Sequence, residues 1–229
     1  MNNEGTVCVI ACGTLKDELS LVMEKQNLAL PVVWIESGTH VQPDKLRQAV
    51  QEAIDVLPAE YATVLLLFGF CGNAMVGLCA GNRTLVLPRV ADCIPLFIGS
   101  GKERAAHGAA AYFFTSGYFN SRGSIAAETR RTIERYGEEQ GLSIMKEMLG
   151  NYRCFAVIDT GAFDTAGLCG KVGEFAKPFG IPVKLIPGKL RLIEMLVSGE
   201  WTDDEFLCVQ PGGSITFEDT PENFRQLPG

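Results

Sequence analysis

TVLLLFGFCGNAMVGL, residues 63–78, decides the fold. Residues 63–68 form a continuous apolar run with no polar alternation. A strand that reads this way is covered on both faces, as in a parallel sheet flanked by helices. The run is strand-sized, far short of the roughly 18 apolar residues that a membrane helix needs. It stops at Gly69, where the missing side chain lets the backbone pass close to a neighbour or a ligand. Cys71 follows, then Gly72, and Asn73 is suited to cap a short helix. In open α/β sheets ligands bind just beyond the carboxyl ends of the strands. Cys71 therefore stands where a site is expected.

Outward from this strand the chain alternates. Strand patterns fall at residues 6–11, 30–35, 84–87, 111–115, 154–158, 182–186 and 205–210. Helical spacing fills the intervals. Leu15, Leu19, Val22 and Met23 share a face in residues 15–26, and Leu46, Val50, Ile54 and Leu57 share one in 44–57. Residues 92–105 read as partly helical, 124–148 as helix with a break expected at Gly141, 163–179 as a helix ending at Gly180, and 190–197 as a last helix. This alternation predicts an α/β fold with a doubly wound, mostly parallel, Rossmann-like sheet flanked by helices. For 229 residues the expectation is a single α/β domain, 1–229, with one continuous core. A composition shift near Gly150 marks two α/β halves within it, about 1–150 and 151–229.

The 27 acidic and 20 basic residues leave a net charge of −7. An acidic surface argues against nucleic-acid binding, which needs a basic face. Residues 1–15 lack a secretory pattern and no segment is long enough to span a membrane, so a cytoplasmic location is expected. Eight cysteines in such a chain point to metal binding, catalysis or burial rather than to a disulfide framework.

Two further cysteines repeat the placement of Cys71. Cys12, in VIACGTL, leaves the first strand, and Cys93, in LVLPRVADCI, leaves the fourth beside Arg89 and Asp92. Each on its own is better explained by packing, since cysteine is among the most buried residue types. Three at one sheet edge point to a shared site. Cys8, Cys154 and Cys208 fall inside strands and are expected in the core, while Cys79 and Cys169 lie in glycine-containing stretches. His40, in IESGTHVQPDKL, is expected on the cysteine edge, where it reads first as a loop histidine bonded to the next helix and second as a fourth ligand or proton carrier. His107 offers less. The GSGK stretch at 99–102 resembles a phosphate loop but fails the G-x-x-x-x-G-K-[ST] pattern at both ends. Thr115, Ser116 and Tyr118 in FFTSGYF are placed either to hydrogen-bond a ligand or to form a polar turn. The charged stretch 128–139 reads as a solvated helix face with internal ion pairs.

With ACGTL, SGTH, FGFCGNAMVGL, LPRVADCIPLFIGS, TSGYF and GEWTDDEFLCVQPG in order from about residue 7 to 212, the chain resembles the DUF1638 family. This is an uncharacterised domain of anaerobic archaea and bacteria, often encoded near corrinoid-dependent methyltransferases. The family pattern falls on Cys12, His40, Cys71, Asp92 and Cys93. The resemblance implies a setting in anaerobic one-carbon metabolism, with a corrinoid protein or methyltransferase as partner.

The residues lead to a metal-binding protein whose ligands are Cys12, Cys71 and Cys93, with His40 and Asp92 as candidate catalytic groups. Three thiolates suit an iron–sulfur cluster with one open iron, or a zinc ion with an open fourth position that activates a thiol or water. The expected ligand is a small molecule or thiol, and a second copy of the chain is a possible partner. A non-catalytic accessory protein and a thiol enzyme with His40 as base remain alternatives.

Overall fold

The computed structural model describes residues 7–36 and 42–221. Among these residues the strands fall into two sheets. The first has the order β2 (Val32–Ile35), β1 (Val7–Cys12), β3 (Thr63–Leu67), β4 (Thr84–Pro88) and β8 (Phe206–Val209). Strands β1 to β4 run parallel, and β8 is antiparallel to β4. The second is parallel throughout, in the order β5 (Ala111–Phe114), β6 (Cys154–Asp159) and β7 (Val183–Pro187). The architecture is the expected mostly parallel, Rossmann-like α/β fold. Its strands are divided between two sheets, however, and the last strand returns to the first. Strands on either side of Gly150, β5 and β6, pair directly.

The helices follow from ordinary local chemistry. In α1 (Lys16–Lys25), Asp17 and Glu18 occupy the first turn and Lys25 the last, as the helix dipole favours. In α2 (Pro43–Val56), proline opens the helix and Leu46, Val50 and Ile54 face the core. Two short helices, α3 (Ile94–Ile98) and α4 (Gly101–Ala106), lead from β4 to β5, and α5 (Ser116–Phe119) follows β5. The expected break at Gly141 lies instead at Gly137, between α6 (Ile125–Tyr136) and α7 (Glu138–Leu149). Gly137 has φ +82°, outside the helical range, whereas Gly141 lies within α7, where its bare Cα lets the helix sit close against Ile133. In α8 (Thr165–Ala176) the Asp164 side chain caps Gly167 N–H, and a short 3-10 turn ends at Gly180 as expected. The last helix is α9 (Arg191–Ser198).

Leu65, Leu66 and Leu67 of β3 are all buried, so successive side chains on both faces of the strand leave water. Each contributes roughly 2 kcal/mol of burial. The second sheet is covered on both faces too. Phe113, Ala156, Ile158 and Ile186 join the core of the first sheet, while Phe114, Phe155 and Val157 join a second, aromatic core with Leu168 and Val172 of α8. The period-2 alternation of β5 and β6 thus ties both sheets into one body. Two of the three cysteines expected in strand cores depart from that expectation. Cys8 is buried, but Cys154 is half-buried and Cys208 exposed, because their strands turn those positions toward a surface.

Candidate functional site

The site begins where β3 and β4 end. Backbone pairing continues past both strands: Phe70 N–H donates to Val90 O and Cys71 N–H to Ala91 O, each at 2.9 Å. The two loops touch so closely that a Cβ on Gly69 would lie 2.4 Å from the carbonyl carbon and oxygen of Asp92. Only glycine fits there. This contact brings the two following thiols face to face, with Cys71 Sγ and Cys93 Sγ 3.6 Å apart. That is far longer than the roughly 2.05 Å of a disulfide. It is close to the ~3.8 Å that separates two sulfurs on one tetrahedral zinc, given Zn–S bonds of about 2.3 Å. Gly69 N–H points at Cys93 Sγ from 3.5 Å.

Residues 71–77 form successive turns, not the expected helix capped by Asn73. Cys71, Gly72 and Asn73 have φ of +45°, +68° and +66°. A non-glycine residue in this region costs roughly 1–2 kcal/mol, and such strain clusters at functional sites. Cys93 instead precedes a helix, at the N-cap of α3. Asp92 Oδ1 accepts from Ile94 N–H at 2.9 Å, which fixes the turn that presents Cys93.

Both thiols open into a cavity of about 410 Å³ between the two sheets. Thr14, Cys71, Asp92 and Cys93 line it from the first sheet, and Phe113, Thr115 and Tyr118 from the second. The FFTSGYF segment therefore does face the pocket. Thr115 is also a cap, accepting from Tyr118 N–H at 3.4 Å. Opposing walls are pressed together next to the cavity, where a Cβ on Gly117 would lie 2.1 Å from Thr14 O.

Cys12 ends the neighbouring strand and is fully buried, with Sγ 3.1 Å from Thr14 Oγ1. Thr14, and not Cys12, lines the cavity. Among the described residues, no three His, Cys, Asp or Glu side chains converge closely enough to hold a metal ion. His40 lies outside the described residues. His107 follows α4 and packs its ring edge-on against Phe113 at 5.9 Å. In the GSGK stretch Ser100 caps α4 by accepting from Glu103 N–H, and Lys102 lines a separate cavity of about 850 Å³ with Arg89 and Arg191. The charged α6 carries the expected internal pair, Arg131 with Glu128.

Several groups escaped the sequence reading. Glu18 is buried in α1, where Oε1 accepts from Thr160 Oγ1, just past the end of β6, at 3.1 Å and Oε2 has no hydrogen-bond partner. Burial pushes its carboxyl up to about 7, against the downward pull of its hydrogen bonds. Its spacing was a usable signal, since Leu15, Glu18, Leu19 and Val22 lie on one helical face. Arg104, 3.8 Å from Asp92 Oδ2, and the hydrogen-bonded Tyr112–Tyr118 pair carry no comparable sequence signal. Among the described residues no helix is long and apolar enough to cross a membrane.

No curated protein and no solved structure matches the chain. One family model does, over residues 34–197, a span that contains Cys71, Asp92 and Cys93 but neither Cys12 nor any of the GEWTDDEFLCVQPG segment. That span is well over half of the sequence, and the chain belongs to the family described as protein of unknown function DUF1638.

Proposed function

We propose that the protein binds a soft metal centre, an iron–sulfur cluster or a zinc ion, through Cys71 and Cys93, and presents it to a small molecule in the adjoining cavity. The observation that carries this reading is the 3.6 Å separation of the two sulfurs at the cavity mouth, which suits two ligands of one tetrahedral ion. Cys12 is the third candidate ligand, and its side chain has to turn away from Thr14 to serve. Asp92 holds the turn before Cys93, which makes it a positioning residue. A centre with two protein thiolates and open positions supplies a Lewis acid able to activate a substrate thiol, the chemistry that methyl transfer to a thiol requires. This fits a role in anaerobic one-carbon metabolism beside a corrinoid protein or methyltransferase.

The test is metal analysis and a visible spectrum on protein purified without oxygen, for the natural chain and for Cys12→Ser, Cys71→Ser and Cys93→Ser. Bound iron or zinc that is lost in Cys71→Ser and in Cys93→Ser supports the reading. Cys12→Ser reports on the third ligand. Metal-free protein in which Cys71 and Cys93 close a disulfide on mild oxidation overturns it in favour of a dithiol redox site.

A further inference from the structure

The thiol pocket has an annex. A second cavity of about 240 Å³ is lined by Arg104, Tyr112 and Tyr152 and meets the first at Ile94, Phe113 and Tyr118. Among the described lining residues, Arg104 is the one charged group of the annex, and Asp92 the one charged group of the thiol pocket. The annex is therefore a recess with aromatic walls and one guanidinium, whose charge also faces Asp92 of the thiol pocket.

Arg104 is held but not satisfied. Its guanidinium lies 4.5 Å from the centre of the Phe113 ring, a cation–π contact, and Nη1 donates to Gly108 O at 3.3 Å. Nε is buried and makes no hydrogen bond. Asp92 Oδ2 stands 3.8 Å from it, near enough to pair with the charge but beyond hydrogen-bond range. A buried guanidinium donor without an acceptor is unfavourable, and an incoming oxygen would relieve it. Across the annex, Tyr112 and Tyr118 share one hydroxyl–hydroxyl hydrogen bond. That bond uses one of their two protons and leaves the other to be donated outward. Burial pushes both phenols upward, so both stay protonated at neutral pH.

We propose that the annex is a carboxylate-binding subsite, in which Arg104 and the spare Tyr112–Tyr118 proton grip the carboxylate of a small organic acid whose other end reaches Cys71 and Cys93. The planar guanidinium matches a carboxylate in geometry as well as charge. The aromatic and aliphatic walls suit a carbon skeleton. The reach toward the thiols rests on the metal-site reading above, whereas the carboxylate grip does not.

Calorimetric titration of the full chain tests this, with phenylacetate, its neutral amide phenylacetamide and inorganic phosphate as probes. Phenylacetate is expected to bind about tenfold or more tighter than the amide, and Arg104→Gln to abolish that preference. Tyr118→Phe is expected to weaken phenylacetate by about threefold or more. If Arg104→Gln fails to fold, Arg104→Lys, which keeps the charge but loses the fork, and Tyr118→Phe carry the same comparison. Equal binding of acid and amide overturns the subsite, as does phosphate displacing phenylacetate at equal concentration. Metal-free protein that still prefers the acid through Arg104 sinks the metal reading alone. Metal-loaded protein without that preference sinks the subsite alone.

Discussion

The two walls of the thiol pocket are held by different physics. On the first-sheet wall the backbone does the positioning: two strand-end loops are hydrogen-bonded to each other, and Gly69 lets them touch. On the second-sheet wall the work falls to side chains, with Phe113, Tyr112 and Tyr118 packed and hydrogen-bonded in place. A backbone-built wall is rigid and intolerant of change, while a side-chain wall yields by small steps. The first suits a fixed pair of sulfurs. The second suits recognition of a ligand.

Two glycine substitutions break this comparison most sharply. Gly69→Ala forces a methyl into the Asp92 backbone and should cost about 3 kcal/mol or more, since neither loop has a flexible atom to yield. It should also part the sulfurs. Gly117→Ala drives a methyl into Thr14 O and should cost a similar amount, but it separates the walls and leaves the thiol pair together. Urea denaturation reads the stability. A trivalent arsenical, which needs two adjacent thiols, reads the pair: binding lost in Gly69→Ala and kept in Gly117→Ala is the expected result. Loss in both variants would mean that the walls do not act separately.

The same contrast decides what was legible in the sequence. Cys71 and Cys93 were readable because a parallel strand announces itself by an apolar run, and the residue beyond it lies at the site edge. The break between α6 and α7 was misplaced because Gly141 and Gly137 look alike in sequence, and only backbone conformation separates them. The second sheet was not foreseen as a separate layer. Its strands are as apolar as those of the first, and which sheet a strand joins depends on contacts far away in the chain. Arg104 and Asp92 are twelve positions apart, with α3 between them and Arg104 itself in α4, so no spacing rule links them. Glu18 was legible in principle, as a carboxylate on an apolar helical stripe.

Glu18 bridges the same two sheets away from the pocket, through Thr160, and supplies a pH test of that junction. Its carboxyl is raised from an ordinary 4.5 to about 7, so the folded protein binds a proton that the unfolded chain releases. The associated stability is fully present below about pH 4.5 and is lost as pH rises through 7. The loss is about 3 kcal/mol. Glu18→Gln, which keeps the shape and cannot ionise, should remove this part of the pH dependence. Urea midpoints at pH 5 and pH 8 for both proteins isolate it as a double difference. An unchanged difference in the variant would place the titration elsewhere.

Tyr112→Phe probes the side-chain wall by its smallest step. The ring keeps its edge-on contact with Tyr152 at 4.9 Å and its packing on Phe114, so only the hydroxyl-to-hydroxyl bond is lost. The expected cost is about 1 kcal/mol, with no change in arsenical binding by Cys71 and Cys93. A side-chain wall yields locally, so the effect should stop at Tyr118 and not reach the loops across the cavity. If Tyr112→Phe also weakens arsenical binding, the hydroxyl pair helps to hold the sulfurs. The two walls would then be one cooperative unit, and the proposed division between a fixed thiol pair and an adaptable recognition surface would fall.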